Sequence, residues 1–148
     1  MSEILNHPHT LIGLSDSGAH VVREGGYGYG VYFLSHWVRT KKIMSIEEGV
    51  RQLTSIPADI FGVVGRGRIE IGSKADIIVF DYEALSLNES EESYDLPGNA
   101  MRLKQTARGI PYTIVNGEVL IENGEHTGAL PGHVVRNDAC LTYDKAFS

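Results

Sequence analysis

The dipeptide Asn116-Gly117, placed between two short apolar runs, is the sequence feature that most constrains how this chain folds. Asparagine and glycine tolerate the positive φ angles of a type I′ turn, and such a turn joins adjacent antiparallel strands. The pattern therefore predicts a β-hairpin with strands over residues 112–115 and 118–122. A third strand is predicted over residues 75–81, and Asn123-Gly124 predicts another turn.

The character of the sequence changes near residue 65. Before that point, the apolar run over residues 10–14 is typical of a buried strand, and residues 25–30 form a glycine-rich loop. Residues 31–41 carry an amphipathic pattern that predicts a helix. The apolar face of this helix comprises Phe33, Leu34, Trp37 and Val38.

Two further helices and a loop complete the predicted organisation. Ser45 and Glu48 match a capping box, in which the hydroxyl and the carboxylate accept hydrogen bonds from free N–H groups at a helix start. Pro57 is expected to end or kink that helix, because the residue before a proline avoids the α region. A last short helix is expected over residues 58–61, and the polar residues 83–108 predict an irregular loop.

The composition narrows the possible function classes. Apolar residues make up 42% and charged residues 22% of the 148 residues, as in ordinary globular proteins. The formal net charge of −6 argues against a nucleic-acid binder, and no apolar run is long enough to span a bilayer. The single cysteine, Cys140, excludes an internal disulfide and is expected to be an inert thiol. A chain without a disulfide framework is compatible with a reducing compartment, so we expect a cytoplasmic protein.

A polar cluster at residues 15–20 carries the first functional argument. It follows the predicted strand 10–14 directly, and α/β folds place their chemistry at the carboxyl ends of strands. Asp16 could bind a metal or act as a general base there. By itself, such an aspartate is more often a turn or helix-cap residue. His20 alone is likewise more often a surface or packing residue.

His7 and His9 resemble the His-x-His pair of hydrolytic metal sites. The pair precedes the predicted strand 10–14, so it would lie at the opposite, structural end of that strand. We therefore expect it not to bind a catalytic metal. The remaining histidines of the chain have no partner at ligand spacing and are expected to be solvated or packed: His36, His126 and His133.

Several segments, taken in order, resemble the amidohydrolase superfamily. The sequence Gly-Leu-Ser-Asp-Ser-Gly-Ala-His at residues 13–20 resembles the motif that ends the eighth barrel strand of these enzymes. Four later segments resemble, in turn, the following helix, the passage into a β-sandwich and the close of the chain: residues 54–62, 67–81, 115–119 and 124–132. The resemblance is greatest to the N-acyl-D-amino-acid deacylase branch (the D-aminoacylases) and covers roughly residues 4–136.

The resemblance implies a fold of class α/β plus β. Residues 1–64 would supply the last strand, the loop and the helices of a metal-dependent (β/α)8 barrel. Residues 65–136 would supply most of a small β-sandwich, and residues 137–148 a tail. A barrel of this kind needs eight strands to close, and only one is expected here. The resemblance therefore implies the C-terminal part of such an enzyme, arising from a split gene, a gene fragment or a truncation.

The resemblance also implies a chemistry, the zinc-dependent hydrolysis of a linear amide in a small-molecule substrate. Asp16 matches the family aspartate that contacts the metal-bound water, acts as general base and returns the proton to the leaving amine. His20 and Arg23 would be substrate contacts. In D-aminoacylases a loop arginine clamps the substrate carboxylate, and ungapped counting places Tyr27 at that position. Tyrosine cannot form this bidentate clamp, so either Arg23 replaces it or the substrate differs.

Because the other zinc ligands of the family lie on strands that this sequence lacks, the isolated chain is expected to be inactive. A cyclic-amide hydrolase or a deaminase of the same superfamily is the alternative enzyme. A non-catalytic alternative is a complementing subunit that binds the missing barrel portion or forms a homo-oligomer. Leu34, Trp37 and Val38 would then be candidate contacts for the partner.

Overall fold

The structure is a computed structural model, and it describes residues 1–19, 22–23 and 26–136. Its helical segments are α1 (Ser2–Leu5), a 3₁₀ turn (Gly26–Gly28), α2 (Tyr29–Tyr32), a π-helix (Phe33–Thr40), α3 (Ile46–Leu53), α4 (Ser55–Ile60) and a second 3₁₀ turn (Pro97–Asn99). Its strands are β1 (Ile77–Val79), β2 (Ser86–Leu87), β3 (Glu91–Leu96), β4 (Ala100–Lys104), β5 (Ala107–Arg108), β6 (Tyr112–Val115), β7 (Glu118–Glu122) and β8 (Glu125–His126). Within the described ranges, no helix is long and apolar enough to cross a membrane.

The predicted hairpin is confirmed, and it forms the centre of the largest sheet. β6 pairs with β7 in antiparallel fashion, and the sheet has the order β1-β6-β7-β8. Asn116 and Gly117 have φ angles of 49° and 85°, as a type I′ turn requires. Asn123 and Gly124 adopt the same left-handed conformation before β8. The sequence therefore specifies this sheet through its turns.

The prediction of an irregular loop over residues 83–108 is wrong. Four strands lie there: β2 pairs with β5, and β3 pairs with β4. Gly98 and Asn99, at the turn between β3 and β4, have φ angles of 72° and 57°. The loop was predicted from the high polarity of this stretch. The stretch contains a second hairpin, and its turn residues, Pro-Gly-Asn, favour a turn as Asn-Gly does in the first hairpin.

The predicted helix over residues 31–41 is confirmed as helical, but its main part, Phe33–Thr40, is a π-helix. The backbone N–H of Lys41 donates to the carbonyl oxygen of His36, five residues earlier, at 2.8 Å. The hydroxyl of Thr40 donates to the carbonyl oxygen of Ser35 at 3.0 Å. Hydrophobic periodicity does not distinguish this wider helix from an α-helix, so only the type of helix was missed.

The start of α3 is partly as predicted, whereas its end is not. The hydroxyl of Ser45 accepts a hydrogen bond from the backbone N–H of Glu48, which confirms the N-cap. The carboxylate of Glu48 accepts hydrogen bonds from Arg51 and Gln52 and does not complete the capping box. The chain breaks at Thr54, where φ is −127° and ψ is −82°. Pro57 lies in the first turn of α4, where its missing N–H costs no intrahelical bond, so the prediction that it ends α3 is wrong.

One hydrophobic core joins the helices to the β-rich part. Phe33, Leu34 and Val38 of the π-helix are buried together with Leu85, which is 1% exposed. Leu34 and Val38 are therefore not available to a partner, and their prediction as partner contacts is wrong. Trp37 is half-buried and packs against the same core. The predicted division near residue 65 thus separates two segments that share a core.

The predicted strand over residues 10–14 is absent, because this segment pairs with no other part of the described chain. A barrel strand takes its hydrogen bonds from a neighbour on each side. Without such neighbours the segment stays irregular, and Leu14 is 91% exposed. The barrel strand and the two-layered sandwich are thus not confirmed, since the described strands form one four-stranded sheet and two two-stranded sheets.

Candidate functional site

Asp16 lies at the start of a tight turn. The backbone N–H of Ala19 donates to the carbonyl oxygen of Asp16 at 3.0 Å, and Gly18 has a φ angle of 92°. The hydroxyls of Ser15 and Ser17 are 2.6 Å apart and brace the turn. The Asp16 carboxylate is exposed and makes no hydrogen bond to any described residue. Its oxygens are therefore accessible to a ligand.

The first 3₁₀ turn, Gly26–Gly28, packs between this aspartate turn and β2. A Cβ atom added to Gly26 would lie 3.2 Å from the Cβ of Ser15. A Cβ atom added to Gly28 would lie 2.3 Å from a methyl carbon of Leu87, closer than any side chain allows. Glycine at these two positions lets the backbone approach both neighbours closely. Tyr27, between them, is consequently held next to the aspartate turn.

The other predicted substrate contacts are placed less completely. Arg23 is exposed and makes no ion pair or hydrogen bond to a described residue. His20 lies outside the described residues, as do Cys140 and the predicted tail, 137–148. The structure thus places Gly26, which precedes Tyr27, against Ser15, which precedes Asp16. The roles assigned to Asp16, His20, Arg23 and Tyr27 stay predictions.

An ion pair that the sequence analysis missed lies on the β3–β4 hairpin, between Arg102 and Asp95. Arg102, on β4, donates from Nε to Oδ1 of Asp95 at 2.6 Å and from NH2 to Oδ2 at 2.7 Å. The hydrogen bonds from Arg102 lower the pKa of Asp95 to about 2. Bonding to Asp95 is the main cause of the raised pKa of Arg102, and a smaller contribution comes from Tyr27. Asp95 and Arg102 lie on either side of the turn at residues 97–99. A hairpin predicted from that turn would have placed the two side chains on adjacent strands.

The described residues do not form a zinc site. Within those ranges, no group of three or more His, Cys, Asp or Glu side chains could hold a metal ion. His7 and His9 have ring centroids 5.5 Å apart, and the backbone N–H of His9 donates to Nδ1 of His7 at 3.2 Å. A catalytic zinc takes about three protein ligands, so Asp16 alone does not suffice.

An apolar recess lies between the first 3₁₀ turn, α3 and β1, and Tyr27 is one of the residues that line it. Its volume is about 550 Å³, and its walls are mainly apolar. The side chains that line it include Tyr27, Tyr29, Leu53, Ile77 and Phe80. Several large apolar side chains outside the recess are also exposed, among them Leu14, Val64 and Ile71. Exposed apolar surface of this extent is typical of a face that another polypeptide segment covers.

Comparison with known proteins defines the class. Residues 1–121 match the sequence pattern of the Amidohydrolase family, and the chain belongs to this family. The N-acyl-D-glutamate deacylase of Alcaligenes xylosoxydans xylosoxydans is 30% identical over 115 residues, which are 78% of this chain and 22% of that protein. The chain is thus a D-aminoacylase-like member of the amidohydrolase superfamily, as the resemblance predicted, and it spans less than a quarter of this curated relative.

Two solved structures give the same relationship. One is a crystal structure of a D-aminoacylase, described as defining a novel subset of amidohydrolases. The match covers 72% of this chain and 21% of the D-aminoacylase chain, with a TM-score of 0.58 and 28% sequence identity. The N-acyl-D-glutamate deacylase of Bordetella bronchiseptica, complexed with zinc and a phosphonate inhibitor, matches 72% of this chain and 20% of its own with a TM-score of 0.55 and 27% identity. Both agree with a fold of mixed helices and sheets.

Proposed function

We propose that this chain is the C-terminal portion of a zinc-dependent amidohydrolase that cleaves the linear amide of an N-acyl amino acid. The observation that carries the proposal is the family match over residues 1–121, which includes Asp16 and its turn. The solved relative that binds zinc together with a mimic of the tetrahedral intermediate supports the same chemistry. The described chain provides one accessible carboxylate for this reaction.

Asp16 serves as the general base and then as the general acid. Its carboxylate accepts a proton from the water that attacks the amide carbon, and a new carbon–oxygen bond forms. When the carbon–nitrogen bond breaks, Asp16 returns the proton to the departing nitrogen, so a carboxylic acid and an amine are released. The exposure of Asp16 and the lack of a described partner for its carboxylate support this role.

Zinc in the complete enzyme would supply charge stabilisation for the developing oxyanion. Because the described residues do not form a zinc site, its other ligands would come from a portion of the enzyme that this chain does not contain. In the complete protein, residues 1–64 would contribute to the barrel and residues 65–136 to the β-sandwich. The exposed apolar side chains and the unpaired segment 10–14 support this arrangement, since both lack the neighbours that a barrel would provide.

The first experiment joins or co-expresses this chain with the remaining portion of the enzyme and assays amine release. The substrates would be N-acetyl-D-amino acids, N-acetyl-L-amino acids and a set of cyclic amides. We expect cleavage of linear N-acyl amino acids. Preferential cleavage of the cyclic amides would support the cyclic-amide hydrolase alternative and contradict the linear one.

The role of Asp16 is tested in the same complete enzyme by Asp16→Asn. Removing the proton acceptor should lower kcat by about 10²- to 10⁴-fold while the fold is retained. Asp81→Asn is the matched control, because Oδ1 of Asp81 only accepts hydrogen bonds from Glu83 and Ala84, which an asparagine oxygen also accepts. Near-normal turnover of the Asp16→Asn enzyme would contradict the role assigned to Asp16.

The incompleteness of the zinc site is tested on the 148-residue chain itself. Elemental analysis, run beside size-exclusion chromatography, should find no stoichiometric zinc. Exposed apolar residues should cause self-association. Tightly bound zinc at one equivalent in a monodisperse monomer would mean that Asp16 has local co-ligands, with His7, His9 and His20 the first to examine.

A further inference from the structure

We propose that Asn123 is a site of spontaneous covalent modification, deamidation through a succinimide, and that Asn116 is protected from the same reaction. The inference is independent of the proposed function, because it concerns two turns of the largest sheet. Asparagine is among the thermolabile residues of proteins. Its side-chain amide reacts with the backbone nitrogen of the next residue, and a glycine there leaves that nitrogen unshielded because it has no Cβ. The chain contains two Asn-Gly pairs, at residues 116–117 and 123–124.

The reaction balances without an oxidant or a cofactor. The backbone nitrogen of Gly124 loses its proton and attacks Cγ of Asn123, so that a nitrogen–carbon bond forms. The Cγ–Nδ2 bond then breaks, and the leaving nitrogen takes up a proton and departs as ammonia. Water opens the resulting ring at either of its two carbonyl carbons, which gives aspartate or isoaspartate. One neutral amide is thereby converted into one carboxylate.

Three described asparagines with positive φ angles allow a comparison within one chain. Asn99, Asn116 and Asn123 have φ angles of 57°, 49° and 48°, so the backbone conformation does not distinguish them. Asn99 is followed by Ala100, whose Cβ shields the attacking nitrogen. The other two are followed by glycines with φ angles of 85° and 87°. The two Asn-Gly turns thus have nearly the same backbone geometry, and a difference in their reactivity has to come from their contacts.

Both ends of the Asn116 amide are hydrogen-bonded. Nδ2 donates to the carbonyl oxygen of Pro131 at 2.6 Å, and Oδ1 accepts from Arg66 at 2.7 Å. The attacking nitrogen is held as well, since the N–H of Gly117 donates to the carbonyl oxygen of Ala75 at 2.9 Å. Attack requires the amide to turn away from Pro131 and the N–H to leave Ala75. The bond from Arg66 draws electrons from Cγ and favours attack, but only after those two bonds are broken.

The same groups are unbonded at the second turn. Asn123 is exposed, and its backbone N–H donates to the carbonyl oxygen of Pro111 at 2.7 Å, which holds the turn in place. Within the residues that the structure describes, no partner is bonded to its side-chain amide or to the N–H of Gly124. Asn123 therefore combines a following glycine with an unbonded amide. Asn99 lacks the glycine, and Asn116 lacks the unbonded amide.

The test follows all three asparagines in one sample of the 148-residue chain, incubated at mildly alkaline pH and mapped by peptide mass spectrometry. In the folded chain Asn123 should deamidate about 10- to 100-fold faster than Asn116, because the hydrogen bonds of Asn116 have to break before each attack. In urea the two should react within about twofold of each other, since these contacts are absent from the unfolded ensemble. Asn99 should be the slowest of the three in urea, because alanine follows it.

Two variants assign the reaction to its residue. Asn123→Asp, which carries the product side chain from the start, should remove most of the ammonia release from the folded chain. Asn99→Asp is the matched control, because Asn99 is also exposed and has a positive φ, and it should leave that release unchanged.

Equal rates at Asn116 and Asn123 in the folded chain would show that the hydrogen bonds do not protect Asn116, and the proposal would be overturned. A folded chain in which Asn123 is stable, although both residues react in urea, would overturn it as well. Ammonia release that continues at the wild-type rate in Asn123→Asp would locate the reaction at another residue, with the same consequence.

Discussion

Residues 10–19 and residues 112–126 both consist of short apolar runs with glycine-containing turns, yet only the second segment is hydrogen-bonded into a sheet. In the second segment each strand meets its partner after a two-residue turn, so pairing requires only local contacts. In the first segment the aspartate turn forms, but the run before it has no neighbour in the described chain. The segment that carries the proposed general base is therefore the one whose strand is missing.

This difference shows that local pairing and long-range pairing make different demands on a sequence. A hairpin carries both of its strands in one sequence, and closing its short loop costs little entropy. A parallel barrel strand takes its neighbours from distant parts of the chain. The turn at Asp16 forms because it depends on local bonds, including those between Ser15 and Ser17. Under the proposed function, completing the site would require strands that the described chain does not contain.

The largest expected effect on stability comes from a substitution in the shared core, compared with the same substitution in the unpaired segment 10–14. Leu85→Ala should lower the free energy of unfolding by about 2–5 kcal/mol, because it removes a fully buried side chain and leaves a cavity. Leu14→Ala, the same substitution at a 91% exposed position, should change it by less than about 0.5 kcal/mol. Urea unfolding of the 148-residue chain measures both. Equal losses for the two variants would show that Leu14 is packed in solution.

The sequence predicted those parts of the fold that local chemistry determines. Asn116-Gly117 specified a hairpin, and Ser45 specified a helix start, because each acts on neighbours within a few residues. The strand at residues 10–14 was predicted wrongly because an apolar run indicates burial without showing that a partner is present. The β3–β4 hairpin was missed because its strands are polar, although its turn at residues 97–99 was recognisable.

For the candidate site, too, the sequence predicted what lies close together in the chain and missed the long-range contacts. The motif at residues 13–20 pointed to Asp16, and the resemblance pointed to Tyr27, which the structure places beside the Asp16 turn. The packing of Gly28 against Leu87 could not be found in this way, since the two residues are 59 positions apart in the sequence. Contacts of that separation depend on tertiary structure, which no local pattern encodes.

A smaller effect tests whether turn conformation determines the hairpin. Gly117→Ala should destabilise the chain by about 1–2 kcal/mol, because alanine is strained at the φ angle of 85° found there. The control is Gly132→Ala, a position with no positive φ and with open space around the added carbon. It should be neutral or slightly stabilising. Equal stability of the two variants in urea unfolding would contradict the type I′ turn as the determinant of this sheet.

The smallest effect concerns the ion pair on the second hairpin. Hydrogen bonds from Arg102 lower the pKa of Asp95 to about 2, below the roughly 3.9 of an unfolded aspartate. Because the folded pKa is the lower one, the stabilisation is fully present above about pH 4 and is lost as the pH falls towards 2. The difference in urea midpoint between wild type and Asp95→Asn should therefore be constant at neutral pH and shrink between pH 4 and pH 2. Salt should weaken it, since both side chains are partly exposed. A difference that stays constant down to pH 2 would show that Asp95 and Arg102 are not paired in solution.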